Sequence, residues 1–421
     1  MKKQKLFLHS VLITLCLAAF SCSKNDNPEQ PDRMAEYTVM LYGCGGGNLD
    51  PSLMLNLEEA CTAGSTERVQ MTAQIKFSVP YQQESGFEYK GTQRLLLDGN
   101  RFDKVEQMDV SLPLYKPENL AEFIRWSKQQ CPARKYILIL WNHGDGWTPW
   151  SDSPKSKGVI FDDNIGGEGM SVAELVEGVK QSGVQLEVLY YDACLMNMLE
   201  NLGELQPIAR YALGAAHSTP GIGGEYGVLL DLLDKGTDIE TIGARYCRAV
   251  IAHWSVTDPS PKDITMTRLS GLPDVFAVLK KVSDELVATY ADNSEEYDAA
   301  LDNTYLFAEP EDFDSFPFID IADYVEQLAD ASGNAKLFTY ASQLQLAVDD
   351  AVVCQRTYIG DRSEVSWGVT LVPESIWSSY KYEESPYQTL AFDKATGWSR
   401  WLKMNNSGFP ETDDSAERNA E

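Results

Sequence analysis

Short apolar runs of strand length alternate with amphipathic stretches of helical period along the first 220 residues. Tyr37 to Tyr42 is such a run and reads as a buried strand. Gly43 to Gly47, with Asn48 and Asp50, makes a loop, and Leu53 to Ala60 has helical period. Val69 to Val79 alternates as a strand does. Tyr89 to Leu97, interrupted by Gly91, predicts a hairpin. Pro117 to Gln130 predicts a helix with proline at its first turn. Lys135 to Trp141 is the most apolar strand candidate in the chain. Ser171 opens a further helix, with Glu174 completing a capping box and Gly183 just past its end. Leu186 to Tyr191 reads as a strand, Leu195 to Leu205 as a helix, and Tyr211 to Ala216 as a strand.

Strands alternating with helices predict an α/β fold: a mostly parallel sheet flanked by helices. Sites in such sheets form beyond the C-terminal ends of the strands. From about Asp258 the pattern changes. Residues 273–300, 322–330 and 334–355 read as helical, and Trp367 to Val372 as a strand. The expected organisation is an α/β domain over 36–257, an additional α+β C-terminal subdomain over 258–405, and a disordered acidic tail over 406–421.

The first residues read as an address. Met1 to Lys5 is positive, and Leu6 to Phe20 is apolar but short for a membrane span. Residues 1–21 are therefore expected to be a signal peptide. Ser21 before Cys22 resembles a bacterial lipoprotein cleavage site, which would leave Cys22 lipidated and residues 22–35 as a polar tether. Export with a lipid anchor in the outer membrane or at the cell surface follows; ordinary cleavage would instead release a soluble protein.

Charge narrows the partners. The chain has 35 Lys+Arg against 63 Asp+Glu, a net charge of −28 over 421 residues. That field repels phosphate backbones, so no nucleic acid partner is expected, whereas basic peptides are attracted. Of eight cysteines, Cys16 would be lost with the leader. Cys44, Cys61, Cys131, Cys194, Cys247 and Cys354 have no tight spacing, which signals neither a disulfide scaffold nor a zinc site.

Four histidines narrow the imidazole chemistry, since His9 lies in the leader and only His143, His217 and His253 remain. His143 directly follows the strand ending at Trp141. Cys194 directly follows the strand ending near Tyr191. If those strands are neighbours, imidazole and thiol face each other where a cysteine nucleophile needs a base. Gly144 and the Cys194 N–H could supply oxyanion donors, and a helix starting at Cys194 would lower the thiol pKa. The residues alone leave the alternative of a buried thiol and a hydrogen-bonded loop histidine open.

The ordered set His143-Gly144, then Asp192-Ala193-Cys194-Leu195-Met196, resembles the clostripain family of caspase-like cysteine peptidases. "YTVMLYGCGGGNLD" (37–50), "GVIFDD" (158–163) and "STPGIGGEYG" (218–227) are similar to that family's opening strand, inter-dyad segment and substrate-pocket loop. The likeness covers about residues 36–255. It implies a caspase-like catalytic domain over 36–257 and hydrolysis after basic residues, Arg or Lys at P1, by a Cys194–His143 dyad. It also implies a substrate cation held by Asp192, with Asp145 and Ser218 as further pocket residues. Members often cut themselves between the dyad residues, which points to Lys157 first and Lys155 second. The active form is then a monomer or a cleaved two-chain molecule.

The pocket loop departs from the family by lacking an acid near His217, so His217 is expected at the pocket rim. No cofactor is required and no metal site is expected. Calcium serves some relatives, and Asp162 and Asp163 are its candidates here. A non-enzymatic surface lipoprotein binding peptides or glycans is the alternative. A zinc hydrolase has too few ligands at suitable spacing.

Overall fold

In a computed structural model of the chain, alternate residues of strand β1 (Ala35–Cys44) point into two different cores. Val39 and Leu41 enter one, and Met40 and Tyr42 the other. The structure describes residues 34–82, 88–147, 158–236, 238–307, 319–358, 370–371 and 386–406. The expected leader, Cys22, Lys155, Lys157 and residues 407–421 of the expected tail lie outside them.

The chain continues through α1 (Asp50–Ala63), β2 (Val69–Gln82), β3 (Glu88–Asp98), β4 (Arg101–Met108), α2 (Pro117–Gln130) and β5 (Ala133–Trp141). Next come β6 (Val159–Asp162), β7 (Glu168–Met170), α3 (Val172–Ser182), β8 (Leu186–Asp192), α4 (Leu199–Leu205) and β9 (Ala209–Gly214). Helices α5 (Tyr226–Lys235) and α6 (Ile239–Thr257) lead to β10 (Lys262–Arg268) and α7 (Leu272–Leu301). The remainder comprises β11 (Ile319–Asp320), α8 (Ile321–Ser332), α9 (Ala335–Ala351), β12 (Val352–Tyr358), β13 (Thr370–Leu371), α10 (Ala391–Thr396) and α11 (Trp398–Asn406).

Among the described residues the main sheet has nine strands, in the order β12-β10-β9-β8-β5-β1-β2-β3-β4. The five central strands, β9-β8-β5-β1-β2, are parallel, and the outer pairs on both sides are antiparallel. The parallel strands are apolar on both faces because helices cover both. Leu53, Leu57, Leu229, Leu233, Tyr246 and Trp254 of α1, α5 and α6 close one face. Phe123, Leu175, Leu202 and Leu279 of α2, α3, α4 and α7 begin the layer on the other. This is the expected α/β architecture. Residues 258–405 contribute β10 and β12 to the common sheet and add α7 to α11 to the second layer.

Local signals account for many of the boundaries. The Ser171 hydroxyl and the Glu174 carboxylate cap α3 reciprocally, and Gly183 ends it at φ 68°. The Asp238 carboxylate accepts the N–H groups of Glu240 and Thr241 at the start of α6.

Three expectations are corrected. Gly91 does not turn the chain. It sits at φ 53° inside the continuous strand β3, opposite a register shift in β2, and the hairpin turn is at Gly99–Asn100 instead. The helix read over 334–355 stops at Ala351, because Val352 and Val353 begin β12, whose backbone bonds to β10. The helix read from Leu195 begins only at Leu199. Among the described residues no helix is long and apolar enough to cross a membrane.

Candidate active site

Strands β5 and β8 are paired in register up to Trp141 opposite Asp192. The Asn142 N–H then reaches the Asp192 carbonyl at 3.4 Å. His143 and Cys194 each follow two residues beyond that last rung, on neighbouring parallel strands. Beyond that rung both chains leave the strands, His143 into a loop and Cys194 into a turn. The C-terminal strand ends therefore bring these two sequence candidates to one edge, as α/β topology favours.

The backbones touch there. A Cβ on Gly144 would overlap the Cys194 carbonyl oxygen and lie 3.1 Å from Ala193 Cβ. Only glycine permits this approach. Asn142 fixes the His143 loop from both sides. Its Nδ2 donates to the Cys44 carbonyl at the end of β1, and its Oδ1 accepts the Phe161 N–H at 2.6 Å.

Two non-glycine residues adopt left-handed backbone beside these loops: Leu195 at φ 63° and Ile160 at φ 56°. For bulky or β-branched side chains this costs on the order of 1–3 kcal/mol each, and it persists only where surroundings over-determine it. The surroundings of Leu195 are the segment 215–219. The Leu195 N–H bonds to the His217 carbonyl at 3.1 Å, and the Asn197 N–H to the Ala215 carbonyl at 3.0 Å. These bonds hold residues 194–197 as a turn, which is why the helix starts late.

Cys194 is part-buried, and its thiol is held by Thr219. The Thr219 N–H donates to Sγ at 3.3 Å, and Thr219 Oγ1 lies 3.5 Å away. Burial pushes the thiol pKa up, the Thr219 contacts pull it down, and the Asp145 and Asp192 carboxylates add to the rise. The depressed pKa expected from a helix start at Cys194 is thus corrected. Four residues separate the thiol from the first turn of α4, and burial wins.

Asp192 is 4% exposed. Its Oδ2 accepts the Gly224 N–H at 2.8 Å and the Tyr226 hydroxyl at 2.7 Å. Burial pushes its carboxyl up to about 6, against those two hydrogen bonds. The carboxylate thus ties down the loop carrying "GIGGEYG". Gly224 is required there, since a Cβ would meet the hydroxyls of Tyr190 and Tyr246 at 2.5 Å.

Asn56 had no sequence signal and proves central. Its Nδ2 donates to the carbonyls of Ile222 and Gly224 at 2.8 and 3.1 Å, and its Oδ1 accepts from the Trp141 indole at 2.8 Å. It links α1, the loop at Ile222–Gly224 and the strand that ends before His143. Glu59, one turn on, receives a further Asn56 bond at 3.2 Å. Burial pushes Glu59 up to about 7, and the charges of Glu225 and Asp192 push the same way. Glu225 itself pairs with His253 at 2.6 Å.

Two of the remaining candidates lie near Cys194, and two have side chains paired elsewhere. Asp145 and Ser218 are part-buried, and the Asp145 N–H donates to the Gly158 carbonyl at 2.9 Å. His217 is not at a rim. It is 3% exposed, with both ring nitrogens engaged by other side chains. Asp162 is fully buried and paired with Lys76 at 2.7 Å, so its carboxylate is already committed. Among the described residues no group of three or more His, Cys, Asp or Glu side chains is arranged to hold a metal ion.

Known proteins share both the sequence pattern and the fold. The model of the clostripain family matches residues 87–404, so the match runs on through the C-terminal helices. Clostripain from Hathewaya histolytica is 26% identical over 191 residues, covering 40% of this chain and 36% of that protein. The chain thus spans about a third of that curated relative's length. A secreted C11 cysteine protease from Bacteroides thetaiotaomicron, solved with an irreversible peptide inhibitor, superposes with a TM-score of 0.65 at 16% identity. The superposition covers 86% of this chain and 99% of the other. An inactive zymogen C11 protease from Parabacteroides distasonis gives 0.64 at 15% identity, over 86% of this chain and 98% of its own. At such identities the likeness speaks for a shared fold.

Proposed function

The chain belongs to the clostripain family, and on that premise we propose that it is a cysteine endopeptidase with Cys194 as nucleophile and His143 as base. One observation carries the proposal. The paired rung Trp141–Asp192 and the packing of Gly144 on the Cys194 carbonyl put the two loops in contact at one sheet edge.

The chemistry follows from the groups. Burial holds the resting thiol protonated, so attack needs a base at hand rather than a standing thiolate. His143 takes the thiol proton as Sγ bonds to the scissile carbonyl carbon. N–H groups of Gly144 and Cys194 stabilise the oxyanion. The C–N bond then breaks, His143 delivers the proton to the leaving amine, and water hydrolyses the thioester. The dyad needs no metal or cofactor; calcium would act, if at all, on structure outside this chemistry.

The substrate is a peptide with Arg or Lys at P1. Asp192, Glu59 and Glu225 stand around loop 222–226, and a guanidinium there would keep the Asp192 carboxyl ionised to lower pH. Asp145 and Ser218 are proposed as further pocket residues. Cleavage after Lys157, or else Lys155, would convert the chain to a two-chain form. We further propose export with a lipid anchor on Cys22 at the outer membrane or cell surface, where the domain works as a monomer. The binding-lipoprotein alternative has no observation in its favour. The test is a panel of fluorogenic peptides differing only at P1, Arg and Lys beside Ala and Asp. Turnover confined to Arg and Lys supports the reading, and turnover led by Ala or Asp refutes the basic pocket.

A further inference from the structure

Behind the turn that carries Cys194 lies a buried polar cluster that the proposed chemistry does not use. Asp263 on β10 is fully buried. Its carboxylate accepts the backbone N–H groups of Ala216 and His217, at 2.9 and 2.8 Å, and faces His217 Nδ1 at 2.8 Å. Nε2 of the same ring meets the Tyr305 hydroxyl at 2.8 Å, just beyond α7. The rings of Tyr305 and Phe307 close edge-on around the imidazole. An ionised carboxylate only accepts, so Nδ1 carries a proton and donates to Asp263. Nε2 accepts from Tyr305 when the ring is neutral. With both nitrogens committed, His217 has no lone pair to offer a substrate.

The backbone of the same residue does face the site. The His217 carbonyl receives the Leu195 N–H and thereby holds the left-handed turn next to the nucleophile. Two residues on, Thr219 contacts the thiol through its N–H and hydroxyl. The side chain of His217 therefore anchors a segment whose main chain bonds to Leu195 on one side and to the Cys194 thiol on the other. The anchor points come from elements 46 and 88 residues away in sequence.

We propose that His217 is a positioning residue of the Cys194 centre: the Asp263–His217–Tyr305 brace sets the attitude of the thiol by fixing the segment 215–219. The proposal rests on the reading of Cys194 as nucleophile. It assigns the C-terminal part of the chain a share in organising that nucleophile, through β10 and the segment after α7. A misplacement of about 1 Å in such a group costs about 100-fold in rate.

The experiment compares wild type with His217→Ala, His217→Asn and Tyr305→Phe. The readouts are kcat and KM on a P1-Arg peptide, and the rate of iodoacetamide alkylation at Cys194, followed by peptide mass mapping. Asn keeps a donor near the Nδ1 position and loses the Tyr305 hydrogen bond and the ring contacts with Tyr305 and Phe307. We expect His217→Ala to lower kcat by about 100-fold with KM within about twofold. Alkylation of Cys194 should change with it, and His217→Asn and Tyr305→Phe, which keep the Asp263 bond and lose the Tyr305 hydrogen bond, should fall between His217→Ala and wild type in both readouts. Wild-type kcat and alkylation rate in His217→Ala overturn the proposal. So does an Asn variant no better than Ala when both melt like wild type. If His217→Ala does not fold, His217→Asn and Tyr305→Phe carry the test: an unchanged alkylation rate in both refutes the brace. If wild type cuts no peptide, the peptidase reading fails, and the alkylation arm alone still decides the brace.

Discussion

Trp141 and Asp192 are Cα partners on adjacent parallel strands, and the chain leaves that rung in step on both sides. Two residues later come His143 on one strand and Cys194 on the other. The contact between the loops that carry His143 and Cys194 thus starts from sheet register. A slip of one residue in the β5–β8 pairing would displace one loop along the sheet from the other by about 3.3 Å.

Gly144 is the closest backbone approach in this arrangement. A methyl group there would overlap the Cys194 carbonyl oxygen, a backbone atom that cannot swing aside. Gly144→Ala should therefore shift the two loops apart and lower kcat by about 100-fold. Overpacking of this kind costs about 1–3 kcal/mol, so the melting temperature should fall by several degrees while the fold survives. Kinetics and a thermal melt on one preparation check both parts. Wild-type kcat in a stably folded variant would show that the loops do not need this contact.

Asp192 gives a pH signature. Its carboxyl is pushed up to about 6 by burial, so it is ionised above that pH and neutral below it. Binding of a P1 Arg should be present above pH 6 and lost as the pH falls through it. The stability term has the opposite sense. A carboxyl raised in the folded state binds its proton more tightly there than in the unfolded chain, so stability falls as pH rises from about 4, its ordinary range, to about 6. Asp192→Asn should flatten the acid limb of kcat/KM for P1-Arg peptides and raise the melting temperature at pH 7, because the amide oxygen still accepts from Gly224 and Tyr226. An acid limb near pH 6 that persists in Asp192→Asn would assign that titration to another group.

The buried pair Lys76–Asp162 predicts a stability effect away from the chemistry. Both side chains are fully buried, Lys76 also donates to the Leu112 carbonyl at 2.9 Å, and Asp162 accepts the Leu114 N–H at 3.3 Å. Removing one charge strands the other, which typically costs about 3–5 kcal/mol. Lys76→Met should lose that much in urea unfolding, and Lys76→Met with Asp162→Leu should recover a large part. A loss below about 1 kcal/mol in the single variant would contradict the pairing.

Much of this architecture is legible in the sequence alone. The apolar runs ending at Trp141 and Tyr191 mark the central strands, and the Ser171 and Glu174 pair marks a helix start to the residue, because those signals are local. The turn at Cys194 is not legible in that way. Leu195 to Leu205 has a helical pattern, and only the carbonyls of Ala215 and His217, some twenty residues on, hold its first residues out of the helix. Asn56, Asp263 and Tyr305 escape for the same reason. An asparagine, an aspartate and a tyrosine carry no signal in sequence, and their roles come from partners brought close by the sheet. Asp192 is a third case: the family resemblance points to a cation partner, and the fold gives it the loop at Gly224 and Tyr226 to hold.

The central claim is that Cys194 and His143 act together as nucleophile and base. The most direct measurement is turnover of a P1-Arg peptide by wild type, Cys194→Ala and His143→Ala under reducing conditions, with each protein's chain length followed by mass spectrometry. A working dyad predicts turnover by wild type alone, with a break near Lys157 in wild type and an intact chain in Cys194→Ala. Turnover that survives in either folded variant would contradict it.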